Sequence, residues 1–430
     1  MVTYKFTGCE SEFKGNRIDK TIKLYGRQRA LKVLMINKFL YPKGGAETYT
    51  FALGKILEKH GHTVQYFGLR NEKNIVGNDV DALVNDMDFS EGTAKNLHAP
   101  FRIIYNFQAA KAIRKVLDDF QPDIVHLNNI QFHLTPSIIL ETDRWRKEEK
   151  PDCKIIYTVH DYQLICPSHG LFDVNIKPCE KCLDGHYYHC VQTKCLKNSR
   201  AKSLLGTIDG YCWKNSRAYS CVDAYVCCSQ FLKEKLDTQP PFKGKTVALH
   251  NFKDMVPLKG IEKKDYILEF GRLCREKGTQ TLIEAARRMP EKQFKFAGSG
   301  PSSELMQGIP NVEYLGFKSG DELYRLIAEA AISVCPSEWY ENCPFSVIES
   351  IALGTPVVGS RMGGIPELID EGRTGELFEA GNVEQLQDAI NKLYSQREAY
   401  SQNCFHAPFE TSETYYGKLM KIYERGAEQC

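Results

Sequence analysis

The chain alternates short apolar runs with helical stretches, and it does so twice. KVLMIN, from Lys32 to Asn37, is followed by a glycine-rich turn and a helix expected over about 46–60. TVQYF, DIVHLN, KIIYTVH and DAYVCCS continue the pattern, with another helix expected over about 106–119. Such runs fit strands buried on both faces, and the intervening helices fit the crossovers of a parallel sheet. After a polar stretch containing Pro257 and Gly260, the pattern restarts with YILEFG, QFKFAG, VEYLG, AISVCPS, PVVG and GELF. The expected fold class is α/β, with two βα units of similar size. Residues 1–31 read as an N-terminal extension, 32–252 as the first unit, 253–264 as a linker and 265–395 as the second unit.

The 430 residues suit two or three domains. Lys and Arg number 56 against 54 Asp and Glu, a balance that argues against a dedicated nucleic-acid binder. No apolar run reaches the roughly 18–20 residues that cross a bilayer. The opening residues mix charges throughout and lack the apolar core of a signal peptide, so the expected location is cytoplasmic. The excess of basic residues over 1–31 leaves open a membrane-surface or partner-binding arm.

Two places at strand ends carry chemistry. In the first unit, Gly44 and Gly45 follow the first strand and open the first helix. Ligands of open parallel sheets bind beyond the strands' carboxyl ends, glycines admit close approach, and a helix N-terminus favours an anion. Paired glycines also serve ordinary tight turns. His160, in TVHD, sits where another strand leaves the sheet, either as a satisfied strand-edge histidine or against a polar substrate.

In the second unit, Gly271-Arg272 ends a strand and Lys277 opens the next helix. A guanidinium fork and a point charge at this spacing can converge on a phosphate, and a departing diphosphate needs such neutralisation. Gly298 ends another strand in a second close-approach loop. The stretch SEWYENCPFSVIE is the most informative. Glu341 lies in its loop, Pro344 suits a first helical turn, and Glu349 lies about one and a half turns into the helix. Glu341 and the N–H groups near Cys343, Pro344, Phe345 and Ser346 are placed to meet sugar hydroxyls, and Glu349 to chelate a vicinal diol such as a ribose.

These pieces, KGGAE, TVHD, GRLCREKG, AGSGP and SEWYENCPFSVIESIALGTPVVGSRMGGIPELI, resemble glycosyltransferase family 4 in order from about Lys32 to Tyr394. Glu341 and Glu349 match its Glu-x7-Glu motif. The resemblance implies a GT-B architecture of two Rossmann-like domains facing across a cleft, with 396–430 as a helical segment crossing back to the first domain. It implies a UDP- or GDP-linked sugar donor and a glycan or lipid-linked acceptor. Arg272 and Lys277 would hold the diphosphate, with Gly45 supplying N–H groups beside it. Glu349 would bind the ribose, Glu341 and the backbone over 343–346 the sugar, and His160 would flank its reactive face. Catalytic roles thus fall to His160, Arg272, Lys277 and Glu341. Donor contacts fall to Gly44, Gly45, Gly271, Gly298, Cys343, Pro344, Phe345, Ser346 and Glu349. The resemblance also implies retention at the anomeric carbon by front-face substitution, with no cofactor or divalent metal in catalysis.

Sixteen cysteines are many for such a chain, and five fall between Cys166 and Cys195. Cys179 and Cys182 form a C-x2-C knuckle, which Cys166 and Cys195, or Cys190 in place of Cys195, would complete as a structural zinc site. His169, His186 and His189 are further candidate ligands, and unbridged thiols are the other reading. This region, about 163–200, reads as an insertion in the first unit.

Lys111, Arg114 and Lys115 lie on one expected helix near Phe101, Tyr105 and Phe107. They are either a solvated face or a contact with anionic lipid at the inner membrane surface. Two other functions compete with sugar transfer: a nucleotide-sugar epimerase of the same fold, and a non-catalytic zinc-containing scaffold.

Overall fold

The computed structural model describes residues 29–85, 104–258 and 260–427, so Phe101 and most of the expected N-terminal extension lie outside it. The first unit begins with β1 (Lys32–Ile36), in which Val33 to Ile36 are wholly buried. Helix α1 (Gly45–Lys59) follows, with Glu47 in its first turn and Lys59 in its last, both matched to the helix dipole. Next come β2 (Thr63–Phe67) and a small parallel pair, β3 (Leu69–Arg70) with β4 (Val84–Asn85). Asn106 caps α2 (Phe107–Phe120) by accepting the Ala109 N–H, and Gln121 ends it in a left-handed conformation. The unit continues through β5 (Ile124–Leu127), α3 (Ser137–Glu149) and β6 (Lys154–Val159). After an irregular segment come α4 (His189–Thr193), α5 (Arg200–Asn215), β7 (Ala224–Cys227), α6 (Gln230–Leu236) and β8 (Thr246–Ala248). The strands form one parallel sheet in the order β2-β1-β5-β6-β7-β8.

The second unit contains β9 (Lys264–Arg272), α7 (Thr279–Arg288), β10 (Gln293–Ser299), β11 (Val312–Gly316), α8 (Gly320–Glu329) and β12 (Ala330–Cys335). It closes with α9 (Phe345–Ala352), β13 (Val357–Ser360), α10 (Ile365–Leu368), β14 (Gly375–Phe378) and α11 (Val383–Ser395). Its parallel order is β11-β10-β9-β12-β13-β14. In both sheets the first strand is internal, with the next one or two strands on one side of it and the remaining strands on the other. That arrangement opens a crevice beyond the carboxyl ends of β1 and β9.

The C-terminal segment divides, where a single return to the first unit was expected. Helix α12 (Arg397–Phe405) stays with the second unit: Cys404 packs with Ile351 and Ile365, and Ser401 Oγ donates to Gly354 O at 2.7 Å. Only α13 (Ser412–Arg425) crosses back, burying Tyr415, Leu419, Met420 and Tyr423 against Val33, Met35 and Leu53. The Tyr415 and Tyr49 hydroxyls are 2.6 Å apart, and Tyr423 OH meets His126 Nδ1 at 2.6 Å. The chain therefore passes between the units twice. The two passages are bonded to each other, Lys253 N–H to Glu410 O at 3.0 Å and Ser412 N–H to Asp254 Oδ1 at 2.8 Å.

A further tie joins the units beside these passages. Glu367, on α10, accepts the N–H groups of Gln230 and Phe231, both at 2.7 Å, and meets His250 Nε2 at 2.8 Å. No described helix is long and apolar enough to cross a membrane. On α2, Arg114 is engaged by Asp118 at 2.9 Å and Glu148 at 2.8 Å, so the expected basic face is not a set of three free cations. Phe107 is exposed, and Tyr105 packs between it and Trp213.

Candidate active site

A cavity of about 770 Å³ lies between the units. It brings together Gly44, Gly45, Gly271, Arg272, Lys277, Gly298, Pro344, Phe345, Ser346 and Glu349. The first unit contributes the turn before α1, and a Cβ on Gly45 would stand 3.8 Å from the Phe345 ring across the cleft. On the other wall, the β9 and β10 ends pack backbone to backbone. Gly298, at φ 152°, would push a Cβ to 1.8 Å from Gly271 O, so only glycine fits there. The left-handed Gly278 passes equally close to Pro336 O and sets Lys277 at the start of α7.

Lys277 Nζ reaches Glu341 Oε1 at 2.5 Å. The same oxygen accepts Trp339 Nε1–H at 2.7 Å and Ser337 Oγ–H at 2.8 Å. Burial alone would raise the Glu341 pKa, but Lys277 and the two neutral donors hold it below the ordinary carboxylate value. Burial likewise opposes the charge on Lys277, and Glu341 more than offsets it, so its pKa rises. Glu341 stands behind Lys277, Trp339 and Ser337, which themselves line the cavity. Its loop is packed under Gly363 and Gly364, whose N–H donates to Glu341 O at 2.7 Å.

Arg272 is more open, its side chain 55% exposed, and is steadied by Glu276 at 3.1 Å. Glu349 sits on α9 with Lys253 Nζ 3.1 Å from its Oε1. Burial raises the Glu349 pKa despite that lysine. Pro344 stands at the N-cap of α9, one residue before its first turn.

Besides Glu341, two more expected residues, His160 and Cys343, stand apart from the cavity wall. His160 bonds Asn128 Oδ1 through Nε2 at 2.9 Å, edge-on to Tyr49. Burial pushes its pKa down to about 3, so its imidazole is neutral at physiological pH. Its carbonyl accepts Asn342 Nδ2–H at 2.8 Å, which ties it to the Glu341 loop. Cys343 turns away. Its thiol is buried in the first unit's core and accepts the Asn251 N–H at 3.3 Å, and its carbonyl accepts Asn251 Nδ2–H.

The structure adds wall residues that the strand-end motifs did not single out. Glu269, within β9, is buried and lines the cavity; its Oε1 accepts Thr279 Oγ1–H at 2.7 Å, while Oε2 has no hydrogen-bond partner. Burial raises its pKa to about 8. A lone acid inside an apolar strand was the available signal. Lys43, Phe317, Lys318 and Tyr324 also line the cavity.

The geometry lends the expected zinc site no support, although the Cys182 thiol lies near those of Cys166, Cys195 and Cys179. Among the described residues, no group of three or more His, Cys, Asp or Glu side chains is arranged to hold a metal ion. Cys166, Cys179, Cys182, Cys190 and Cys195 are free thiols. The Cys190 thiol bonds Cys195, which brings Cys195 down to about 7 and raises Cys190. The Cys166 thiol lies 3.2 Å from Ser168 Oγ. Asp79 and Asp81 form an Asp-x-Asp pair, but neither lines the cavity. Asp79 accepts Gln65 Nε2–H at 2.6 Å, and Asp81 pairs with Arg70 at 3.0 Å.

Family models match the two units in turn: Glycosyltransferase Family 4 over residues 43–255 and Glycosyl transferases group 1 over residues 252–404. The chain belongs to glycosyltransferase family 4. It is 29% identical over 360 residues to an uncharacterized 42.6 kDa protein in the cps region of Klebsiella pneumoniae, covering 79% of this chain and 87% of that one. It is 33% identical over 149 residues to an amylovoran biosynthesis glycosyltransferase of Erwinia amylovora, covering 31% of this chain and 36% of that one. Among solved structures, the Anabaena protein HepE in complex with UDP and glucose superposes with a TM-score of 0.61. The two are 16% identical, over 92% of this chain and 99% of that one. Sucrose-phosphate synthase of Thermosynechococcus elongatus gives a TM-score of 0.64 at 16% identity, over 92% of this chain and 98% of that one. These likenesses establish the GT-B fold.

Proposed function

We propose that this glycosyltransferase moves a hexosyl group, with retention, from a UDP- or GDP-linked donor to a glycan or lipid-linked acceptor in polysaccharide assembly. One observation carries the reading: Arg272 and Lys277 face the glycine turn that opens α1 across a single cavity. That cavity offers two cations and a helix N-terminus to one diphosphate. Glu349 stands on the same wall, where a ribose would meet a carboxylate acceptor. The Glu341 loop would hold the sugar.

As the anomeric C–O bond breaks, negative charge gathers on the leaving diphosphate. Arg272 and Lys277 are placed to stabilise that charge more than the ground state, which is where catalysis is gained. The departing phosphate oxygen then takes the acceptor's proton on the same face of the sugar. His160 stands back from the cavity wall on Asn128, and its neutral imidazole would not compete for that proton. Names of relatives from a cps region and from amylovoran biosynthesis support polysaccharide as the product class. A lipid-linked acceptor would place the enzyme at the inner membrane surface.

Calorimetry with UDP, GDP and ADP, on wild type and Arg272→Ala, tests the donor site. Binding of one diphosphate, weakened at least tenfold by the substitution, is expected. Absence of binding by folded wild type would return the chain to the scaffold reading. Product analysis then separates the rest. An inverted linkage refutes retention, and an isomerised donor formed without acceptor favours the epimerase.

A further inference from the structure

The cysteine-rich insertion touches the second unit in three places, each beside a donor-site residue. The Phe172 ring lies 5.8 Å from that of Trp339. Asn175 O accepts Arg275 Nη2–H at 3.3 Å. Glu180 Oε1 accepts Tyr340 OH at 2.9 Å and is paired with Lys235 at 2.6 Å. Arg275 begins the short turn that ends at Lys277, and Trp339 and Tyr340 directly precede Glu341.

Trp339 is the pivot of these contacts. It lines the cavity and donates to Glu341 Oε1 at 2.7 Å. Its ring is 5.3 Å from Lys277 Nζ and 5.8 Å from the Arg272 guanidinium carbon, within cation–π reach of both. One indole thus touches both expected diphosphate cations and the expected sugar carboxylate, and its outer side is backed by Phe172.

The insertion is built to hold Phe172 there. His169 and Leu171 adopt positive φ of 69° and 50°, a bridge pairs Phe172 with Pro178, and Cys179 N–H donates to Leu171 O at 2.7 Å. A Cβ on Gly170 would stand 2.0 Å from the Phe172 ring, so the ring folds over a position where only glycine leaves room.

We infer that the insertion backs the wall of the donor cavity at Trp339, on the side where the sugar would sit. Phe172 is a positioning residue that fixes Trp339, and through it Glu341, so that the first unit takes part in choosing the sugar. This rests on the donor reading above. The expected diphosphate cations have anchors besides Trp339, Glu276 for Arg272 and Glu341 for Lys277, and Glu349 is held by Lys253. Loss of Phe172 therefore weakens sugar recognition and spares the nucleotide.

The experiment is calorimetry on the full chain with UDP, GDP and ADP, and with UDP-glucose, UDP-galactose, GDP-mannose and ADP-glucose. Wild type, Phe172→Ala, Phe172→Leu and Phe172→Tyr are compared, with thermal melting as the check of folding. Phe172→Ala is expected to bind the preferred nucleoside diphosphate within twofold of wild type. Its affinity for the intact nucleotide sugar is expected to fall about tenfold, with a narrowed preference between sugars on one nucleotide. Phe172→Tyr, which keeps the ring, restores both. Should Phe172→Ala melt the protein, Phe172→Leu is read for the same split. Unchanged nucleotide-sugar affinity and preference in the folded variant overturn the inference and leave the donor site standing. Wild type that binds none of the three nucleotides overturns the donor reading itself.

Discussion

Lys277 Nζ stands 2.5 Å from Glu341 Oε1, so a cation expected to meet the diphosphate and a carboxylate expected to meet the sugar are one buried ion pair. Removing one member of such a pair leaves the other charged and unpaired, at a cost of about 3–5 kcal/mol. Lys277→Ala is expected to lose stability on that order in urea unfolding, together with transfer. Adding Glu341→Gln should recover much of the stability and none of the activity. The Glu341 contribution is present above the unfolded carboxyl value of 4.5 and is lost as pH falls through its lower folded value.

Glu269 gives the opposite pH dependence. Its folded pKa of about 8 lies above the unfolded 4.5, so the folded state holds this proton more tightly. Stability from this group is full below pH 4.5 and declines as pH rises towards 8, with a limiting slope of about 1.4 kcal/mol per pH unit for one proton. Glu269→Gln removes the titration. Chemical denaturation at pH 5 and pH 8.5 should find the variant gaining on wild type at the higher value; parallel losses at both would contradict this.

Gly298→Ala tests the close approach of β9 and β10. Its Cβ would meet Gly271 O at 1.8 Å at a φ that L-residues rarely adopt. We expect a loss of about 2 kcal/mol or more, with weaker nucleotide binding. Gly308, at φ 75° with open space around it, is the control, and alanine there should cost about 1 kcal/mol and spare binding.

The strand-end motifs were legible because each is local. A strand, a glycine turn and a helix start determine where Gly45, Arg272, Lys277 and Glu349 emerge, and all four reach one cavity. Contacts made across the fold were not legible in this way. Phe172 and Trp339 belong to different units, and nothing near either residue announces the other. Cys343 lies inside the Glu-x7-Glu stretch, yet Asn251 from the first passage between units claims its thiol. The cysteine spacing suggested ligands, and Cys182 does come near Cys166, Cys195 and Cys179, but proximity alone does not arrange thiols around a metal ion. A single helical segment was expected over 396–430, where two helices form. What separates them is their buried faces, Cys404 for the second core and a run of tyrosines for the first.

Glu367 is expected to govern how far the units part. Burial alone would raise its pKa; His250 and the N–H groups of Phe231 and Gln230 hold it below the ordinary value, so the tie is kept at neutral pH and released as pH falls through that lower value. Glu367→Ala should broaden the small-angle scattering distance distribution and raise KM for the donor more than it lowers kcat. An unchanged scattering profile would show the tie to be dispensable.

The paired passages at 253–254 and 410–412 carry a mechanical consequence. A single strand of chain lets two bodies swivel about its bonds. A doubled strap, laced by the Lys253–Glu410 and Asp254–Ser412 bonds, resists torsion while it still bends, like the spine of a book. Any opening would then be confined to one arc, and closure would return Gly45 to the same line opposite Phe345.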